Sequence, residues 1–383
     1  MSYGGGTIVG MSSSANGDEA VRWGFLGPST AVGDIPGGAF ASDAFACSDD
    51  GQVVFGAGIN ASGNAESFRW TAAGGIVPLG FLPTGGSGSR AFGSTSDGTQ
   101  ACGENIFPPV TQAFRWTQSG GMQGLGFLPG SGNSYSTGRA MSFDGHTIVG
   151  WAQGADLADH PFRWTEANGM QQIGSFPGAA RGISYGGVWI VGNDASTSQA
   201  FRWSQGSGVQ ELGVLAGHTS SIAVAVSNDG SRVLGVCDVG GSGQVAAVWH
   251  QGIHGSACGP FWSTVADLLA SSGVSTAGWT LSTAVAMSWD GRVIAGHGTN
   301  PSGQTQAWVA VLNPFPNPPV CTTADFNCDG DIGTDADIEG FFACLAGQCP
   351  PWPCCTSADF NGDGDIGTDA DIESFFRVLS SSC

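Results

Sequence analysis

The sequence predicts a mainly β protein, a β-propeller of about seven four-stranded blades, followed by a small α-helical module. Three observations predict it. A Phe-Arg-Trp element recurs from Trp23 to Trp308. Each copy carries several short apolar runs parted by glycine turns. The chain then closes on an acidic, cysteine-rich tandem duplication.

The recurring element is fullest at Ala113-Phe114-Arg115-Trp116-Thr117. Val21-Arg22-Trp23, Ser67-Phe68-Arg69-Trp70-Thr71, Pro161-Phe162-Arg163-Trp164-Thr165 and Ala200-Phe201-Arg202-Trp203 repeat it, and Ala247-Val248-Trp249 and Ala307-Trp308-Val309 are weaker copies. Successive Trp residues are 47, 46, 48, 39, 46 and 59 positions apart. A period of about 40–50 residues with several strands inside it marks a repeat β-architecture.

Four runs make one copy. The first is small and alternating, as in Ala284-Val285-Ala286-Met287-Ser288. Asp290-Gly291 follows, and the turn recurs at Asp50-Gly51, Asp97-Gly98, Asp144-Gly145 and Asp229-Gly230. At Ser184-Tyr185-Gly186-Gly187 only the glycine survives. Asp-Gly between alternating runs predicts a hairpin with a type I′ turn, whose two central residues take positive φ. A β-branched run comes next, then the Phe-Arg-Trp strand, whose period of two puts Phe and Trp on one face and Arg on the other. A fourth run follows a glycine turn, as from Gly74 to Pro83.

Composition fits short strands and many turns. Gly accounts for 65 of 383 residues, about 17%, against an average near 7%. The eleven basic residues are all Arg, so Schiff-base and phosphate-loop lysines are excluded. A net charge of −20 argues against nucleic acid, whose phosphates require a basic surface. No segment is long and apolar enough to span a membrane. Five of the eleven Arg flank a repeat Trp. A ligand site rarely needs one residue type in every repeat, so these are assigned to pairing between blades.

The sixth copy is irregular. After Trp249 come His250 to Cys258, then a short helical pattern from Val265 to Ala270, before Gly278-Trp279-Thr280-Leu281 restores the repeat. The set of Phe-Arg-Trp-Thr, Gly-Gly, Leu-Gly and Ser-x-Asp-Gly signals, over roughly residues 3–312, resembles the bacterial extracellular HAF-type repeat family. The resemblance implies a secreted or surface β-propeller and no particular activity. The chain opens inside a repeat, at Tyr3 to Gly10, with no recognisable signal peptide, so the expectation is a truncated start with a signal peptide upstream.

Residues 313–320 form a stiff Pro-rich linker, which divides a repeat domain, 1–312, from a terminal module, 321–383. In the module, Ala324 to Phe342 is matched by Ala358 to Phe376 at 17 of 19 positions. Each copy opens with Asp-x-Asn-x-Asp-Gly, the front half of a calcium loop. Side-chain oxygens at its first, third and fifth positions converge on a hard cation, and the glycine makes the sharp turn. Ile338, Phe341, Phe342 and Leu345 then follow helical spacing, as do Ile372, Phe375, Phe376 and Leu379.

This loop-helix pair resembles a type I dockerin. The resemblance implies two Ca2+ ions and a cohesin-like or cell-surface protein partner. The ligands are Asp325, Asn327, Asp329, Asp331 and Asp337 in the first loop, and Asp359, Asn361, Asp363, Asp365 and Asp371 in the second. Asp337 and Asp371 are chosen to close loops one residue longer than the family's, because Ala336 and Ala370 stand where it has Asp. Seven of the eleven Cys lie beyond residue 320, which predicts disulfides and an oxidising, extracellular compartment.

Catalytic signals are weak. Gly182-Ile183-Ser184-Tyr185-Gly186 has nucleophile-elbow spacing but falls on the hairpin turn. His250, His254 and Cys258 have metal-ligand spacing, but Gly252 and Gly255 break the helix that would align them. The functional expectation is a secreted, non-enzymatic scaffold or ligand-binding propeller attached through a calcium-dependent module. The alternative is a polysaccharide-active enzyme of glycoside hydrolase type. It requires a carboxylate pair about 5–9.5 Å apart in a groove. Asp34, Glu104, Asp156, Asp159, Asp194 and Asp238 are the loop acids available to it.

Overall fold

The computed structural model describes residues 1–312, apart from 25–26, 133, 239, 241–242 and 252–259, and beyond them residues 334–346 and 372. Strands run antiparallel in chain order within each sheet. The first sheet holds β1 (Thr7–Ser14), β2 (Gly17–Gly24), β3 (Ser29–Gly33), β4 (Gly37–Cys47), β5 (Val53–Asn60), β6 (Ala65–Thr71) and β7 (Gly75–Gly80). A single parallel pair, Asp18 with Ala41, joins β2 to β4, so this sheet divides into a three-stranded and a four-stranded unit.

Four four-stranded sheets follow. They are β8 (Gly88–Ser94), β9 (Gln100–Phe107), β10 (Val110–Thr117) and β11 (Gly121–Gly126); β12 (Ser136–Met141), β13 (Thr147–Gln153), β14 (Asp159–Thr165) and β15 (Gly169–Gln172); β16 (Gly178–Ile183), β17 (Ile190–Asp194), β18 (Gln199–Ser204) and β19 (Gly208–Glu211); and β20 (Ser220–Val226), β21 (Arg232–Asp238), β22 (Gln244–His250) and β23 (Phe261–Thr264). The last sheet has three strands, β24 (Thr280–Met287), β25 (Val293–Thr299) and β26 (Thr305–Val311). Helix α1 (Val265–Ser271) stands where the apolar spacing predicts it, capped by Thr264 Oγ1, which accepts from Asp267 N at 3.0 Å.

The Phe-Arg-Trp strand is the second strand of the first unit and the third of the others, and it faces as its alternation requires. Phe68, Phe114, Phe162 and Phe201 are fully buried, and Trp70 and Trp116 nearly so. They pack with residues of the preceding unit. Phe55, Phe114 and Trp116 share one cluster with Ala46 and Leu82, and Phe201 shares another with Val149 and Ile173.

One constraint recurs in the first strand of six units. Each carries a β-bulge, at Phe45, Phe92, Arg139, Arg181, Val224 and Val285, where register shifts by one residue. The bulge drives the carbonyl two residues earlier onto the neighbouring strand, and a glycine always meets it there. A Cβ on Gly103 would lie 1.8 Å from Arg90 O, one on Gly150 1.9 Å from Thr137 O, and one on Gly192 1.9 Å from Ala179 O. Gly56, Gly235 and Gly296 face Asp43 O, Ile222 O and Thr283 O in the same way. On Gly56, Gly103 and Gly150 the buried Phe of the third strand lies close to that same missing Cβ.

The Asp-Gly turn differs from the type I′ expectation. Gly51, Gly98, Gly145, Gly230 and Gly291 have φ between 65° and 76°, but the preceding Asp residues are not in the left-handed region. The Ser or Thr two residues before the Asp supplies the reason. Ser48 O accepts from Gly51 N at 3.0 Å, Ser48 Oγ accepts from Val53 N at 2.9 Å and donates to Asp50 Oδ1 at 2.6 Å, and Asp50 Oδ1 accepts from Gln52 N at 2.9 Å. These side-chain bonds, the Ser48 bond first, hold the Asp50 carboxyl below its ordinary pKa. The Asp thus closes the turn with its side chain, and only the glycine needs positive φ.

Gly103→Ala is expected to destabilise the fold at the top of, or beyond, the ~1–3 kcal/mol range of overpacking, because a backbone oxygen cannot step aside. Gly206→Ala, with nothing within 4 Å and no positive φ, is the control that leaves the midpoint unchanged. Denaturant unfolding of both variants checks this, and equal midpoints would refute the bulge–glycine constraint.

Candidate functional site

The bulges aim their extra residues into one place. A cavity of about 210 Å³ is enclosed by β4, β8, β12, β16, β20 and β24, with all six bulge residues in its wall. Phe45, Phe92, Val224 and Val285 make four of the six positions apolar. Arg139 and Arg181, on adjacent units, occupy the other two. Ala46, Met141, Ile183 and Met287 line the layer around them, and no Asp or Glu is among the described residues of the wall.

At one end the cavity is bounded by the turns. Seven of them are present among the described residues, the first being Ser2-Tyr3-Gly4-Gly5. Backbone bonds run from turn to turn: Asp49 N to Ser96 O at 2.7 Å, Ser96 N to Phe143 O at 3.1 Å, Phe143 N to Tyr185 O at 3.1 Å, Asn228 N to Trp289 O at 2.8 Å and Trp289 N to Tyr3 O at 2.8 Å. Side chains complete the collar, with Asn228 Oδ1 accepting from Gly186 N at 2.9 Å and Asp49 Oδ1 from Gly4 N at 3.0 Å. Tyr185 stacks on Phe143 at 4.2 Å between centroids and meets Tyr3 edge-on at 4.7 Å. Tyr3 Oη donates to Met141 O at 3.0 Å, and burial pushes its phenol far above the usual range.

Within the wall, the Arg139 guanidinium lies 4.9 Å from the Phe92 ring, and Phe92 meets Phe45 edge-on at 5.2 Å. Arg181 Nε donates to Asn193 Oδ1 at 2.9 Å, and its guanidinium lies 5.6 Å from the Trp151 ring. Neither has a carboxylate within 4 Å among the described residues, since Glu104 is taken by Arg90 at 3.0 Å. Arg139 is open to solvent inside the channel, yet protein surrounds it on most sides. That surrounding depresses both guanidinium pKa values, and Arg139 adds a like-charge push on Arg181. Sequence reasoning missed this pair. The signal was available, because both residues stand three positions before the turn Ser, where the other units have Phe or Val.

The arginines beside the repeat Trp do bridge units. Arg22 Nη1 donates to Gly51 O at 2.5 Å and Arg69 Nε to Gly98 O at 3.2 Å, each the turn glycine of the next unit. Arg202 donates to Gly230 O and lies between the Trp189 and Trp249 rings, at 4.4 and 4.8 Å.

The other expected features are dispersed. Ser184 is buried in its turn, where Oγ accepts from Trp189 N at 3.0 Å, which leaves no exposed nucleophile. His250 is buried against Phe261, with ring centroids 5.1 Å apart, and its Nε2 has no partner among the described residues; His254 and Cys258 lie outside them. Cys47, Cys102 and Cys237 are buried free thiols, and burial pushes Cys102 up to about 12. Asp156 is paired with His160 at 2.9 Å, and Asp194 receives Ser196 Oγ at 2.5 Å.

Of the ten calcium-ligand residues only Asp337 is among the described ones. It stands in the first turn of α2 (Asp335–Leu345), where its Oδ2 accepts from Thr334 N at 2.8 Å and Thr334 Oγ1 at 3.0 Å. A helix therefore begins where the first loop should end. Its buried face carries Phe341 and Cys344, while Phe342 is exposed, so the apolar stripe is narrower than the spacing predicts. Cys344 is disulfide-bonded.

No protein-family model matches the chain, and no curated protein matches it. Solved structures do. The β-propeller domain of the Trilobed protease from Pyrococcus furiosus is similar with a TM-score of 0.53, at 8% identity over 79% of this chain and 89% of that one. An acylaminoacyl peptidase gives 0.50 at 9% identity over 79% and 49% of the two chains, and TolB from Acinetobacter baumannii 0.45 at 12% over 68% and 67%. At these identities the likeness is one of fold, and with the repeated four-stranded sheets it makes the repeat region a β-propeller.

Burial, with Arg232 nearby, pulls His250 down to about 4. Unfolded, it titrates near 6.5, so between those values the unfolded chain binds the extra proton and stability falls as pH falls. Replacing it by Phe should remove a loss on the order of 3 kcal/mol between pH ~6.5 and ~4. Unfolding curves for the two proteins across that window check this, and parallel curves would refute it.

Proposed function

We propose that the chain is a non-enzymatic, seven-bladed β-propeller serving as an extracellular scaffold or ligand-binding platform, attached to a surface or assembly by a calcium-binding C-terminal module. The observation that carries the first half is the channel. Among the described residues its wall holds two arginines, mostly apolar side chains and no acid, whereas glycoside hydrolysis requires a facing carboxylate pair. The seven linked turns support the blade count, with β1–β3 as one blade and β24–β26 as another.

The attachment half rests on the duplicated Asp-x-Asn-x-Asp-Gly segments and on the helix that begins at Asp335. The module's resemblance to a dockerin suggests a cohesin-like partner, and the HAF-type resemblance of the repeats suggests a secreted protein. The disulfide at Cys344 fits an oxidising compartment. Residues Asp325 to Asp331 and Asp359 to Asp365 would hold the ions through carboxylate and amide oxygens, and an ion would order each loop before its helix.

One observation favours an enzyme. Asp18, Asp43 and Arg90 line a side pocket of about 200 Å³. Burial, then the neighbouring Asp18, raises the Asp43 pKa, as a general acid requires. Loss of polysaccharide hydrolysis in Asp43→Asn would establish that reading.

Calcium titration of the full chain by calorimetry is expected to show two bound ions, and a variant carrying Asp325→Ala and Asp359→Ala to show none. Thermal unfolding of the repeat domain should be the same in both. Absence of calcium binding by the natural chain would overturn the attachment module.

A further inference from the structure

We propose that the channel is a binding site for a small organic anion with a compact apolar body, its charged end held by Arg139 and Arg181 and its body seated on the bulge residues Phe45, Phe92, Val224 and Val285. The proposal deepens the ligand-platform reading of the propeller. It is independent of the calcium module.

Repetition makes the argument. Six units present a bulge residue at one level of one cavity, and four of them present an apolar side chain there. A structural wall is satisfied by that pattern. Two adjacent units depart from it with the same residue, and they place like charges together in a confined space. Among the described residues no carboxylate lies within 4 Å of either charge, and Glu104 is held by Arg90 at 3.0 Å. By contrast, Arg22, Arg69 and Arg202 end on carbonyls of the next unit, at Gly51, Gly98 and Gly230. Two guanidinium groups facing one narrow channel repel each other, and an anion between them offsets that repulsion.

The geometry also narrows the ligand. Arg181 is fixed by Asn193 through Nε, and the Arg139 guanidinium lies 4.9 Å from the Phe92 ring centroid, so both groups are positioned through contacts that leave terminal N–H donors available. Paired donors on rigid planes match the two oxygens of a carboxylate. A cavity of about 150 Å³ suffices for benzene. The channel, at about 210 Å³, has room for one ring and a carboxylate, and little more.

Benzoate tests the assignment, with benzamide as its neutral isostere and inorganic phosphate as an anion without an apolar body. Calorimetry on the full chain should show benzoate binding at millimolar concentration or below, at least about tenfold more tightly than benzamide, since charge-assisted bonds are the stronger ones. Arg139→Gln together with Arg181→Gln should abolish that preference, with the melting curve confirming a folded domain. Calcium chelation should leave it unchanged. Equal affinity for benzoate and benzamide overturns the proposal, and that comparison decides even if the double variant does not fold. Phosphate binding as tightly as benzoate overturns it too, as does benzoate binding that survives loss of both arginines. Calcium binding by a chain that ignores benzoate would refute the channel site alone.

Discussion

The repeat architecture depends on a carbonyl oxygen pressed against a glycine. The bulge in each first strand requires it, since the extra residue turns the backbone outward and brings the earlier carbonyl to within 2.4 Å or less of where the next strand's Cβ would stand. Several features then follow together. The bulge residue is free to face the channel. The glycine leaves space on its other side, and the third-strand Phe fills it in three of the units. The large buried aromatic and the small residue are thus two parts of one packing solution, which the chain repeats.

Much of this was legible in the sequence. The Trp period gave the unit, alternation gave the buried face of the Phe-Arg-Trp strand, and the spacing of Val265 to Ala270 gave the short helix. The turn geometry was misjudged because Asp-Gly by itself predicts type I′, and the deciding contact comes from the serine two positions earlier. The bulges were illegible, because an extra residue in a short strand of Ala, Gly and Val leaves no break in pattern. Arg139 and Arg181 were therefore passed over, although the turn serine numbers them identically. The calcium residues, Asp337 excepted, are read from sequence alone.

Arginine is used in two distinct ways. At Arg22, Arg69 and Arg202, beside repeat Trp residues, it is a cross-brace that donates to a turn carbonyl of the next unit, and Arg202 also lies between Trp189 and Trp249. In the channel it is positioned but not neutralised. A chain with a net charge of −20 and eleven arginines thereby keeps a local positive potential inside an acidic molecule. Small anions meet repulsion outside and attraction within, a combination that favours selectivity over speed of entry.

The collar of turns has one unequal link. Elsewhere neighbouring units are also joined by the running chain, but the first and last sheets meet without covalent continuity. The Trp289 N–H to Tyr3 carbonyl bond, and Gly5 against Val293, close the gap there. That seam is held by non-covalent contacts alone. The ring is therefore a clasp with a defined opening point, and the channel behind it is only as permanent as that clasp.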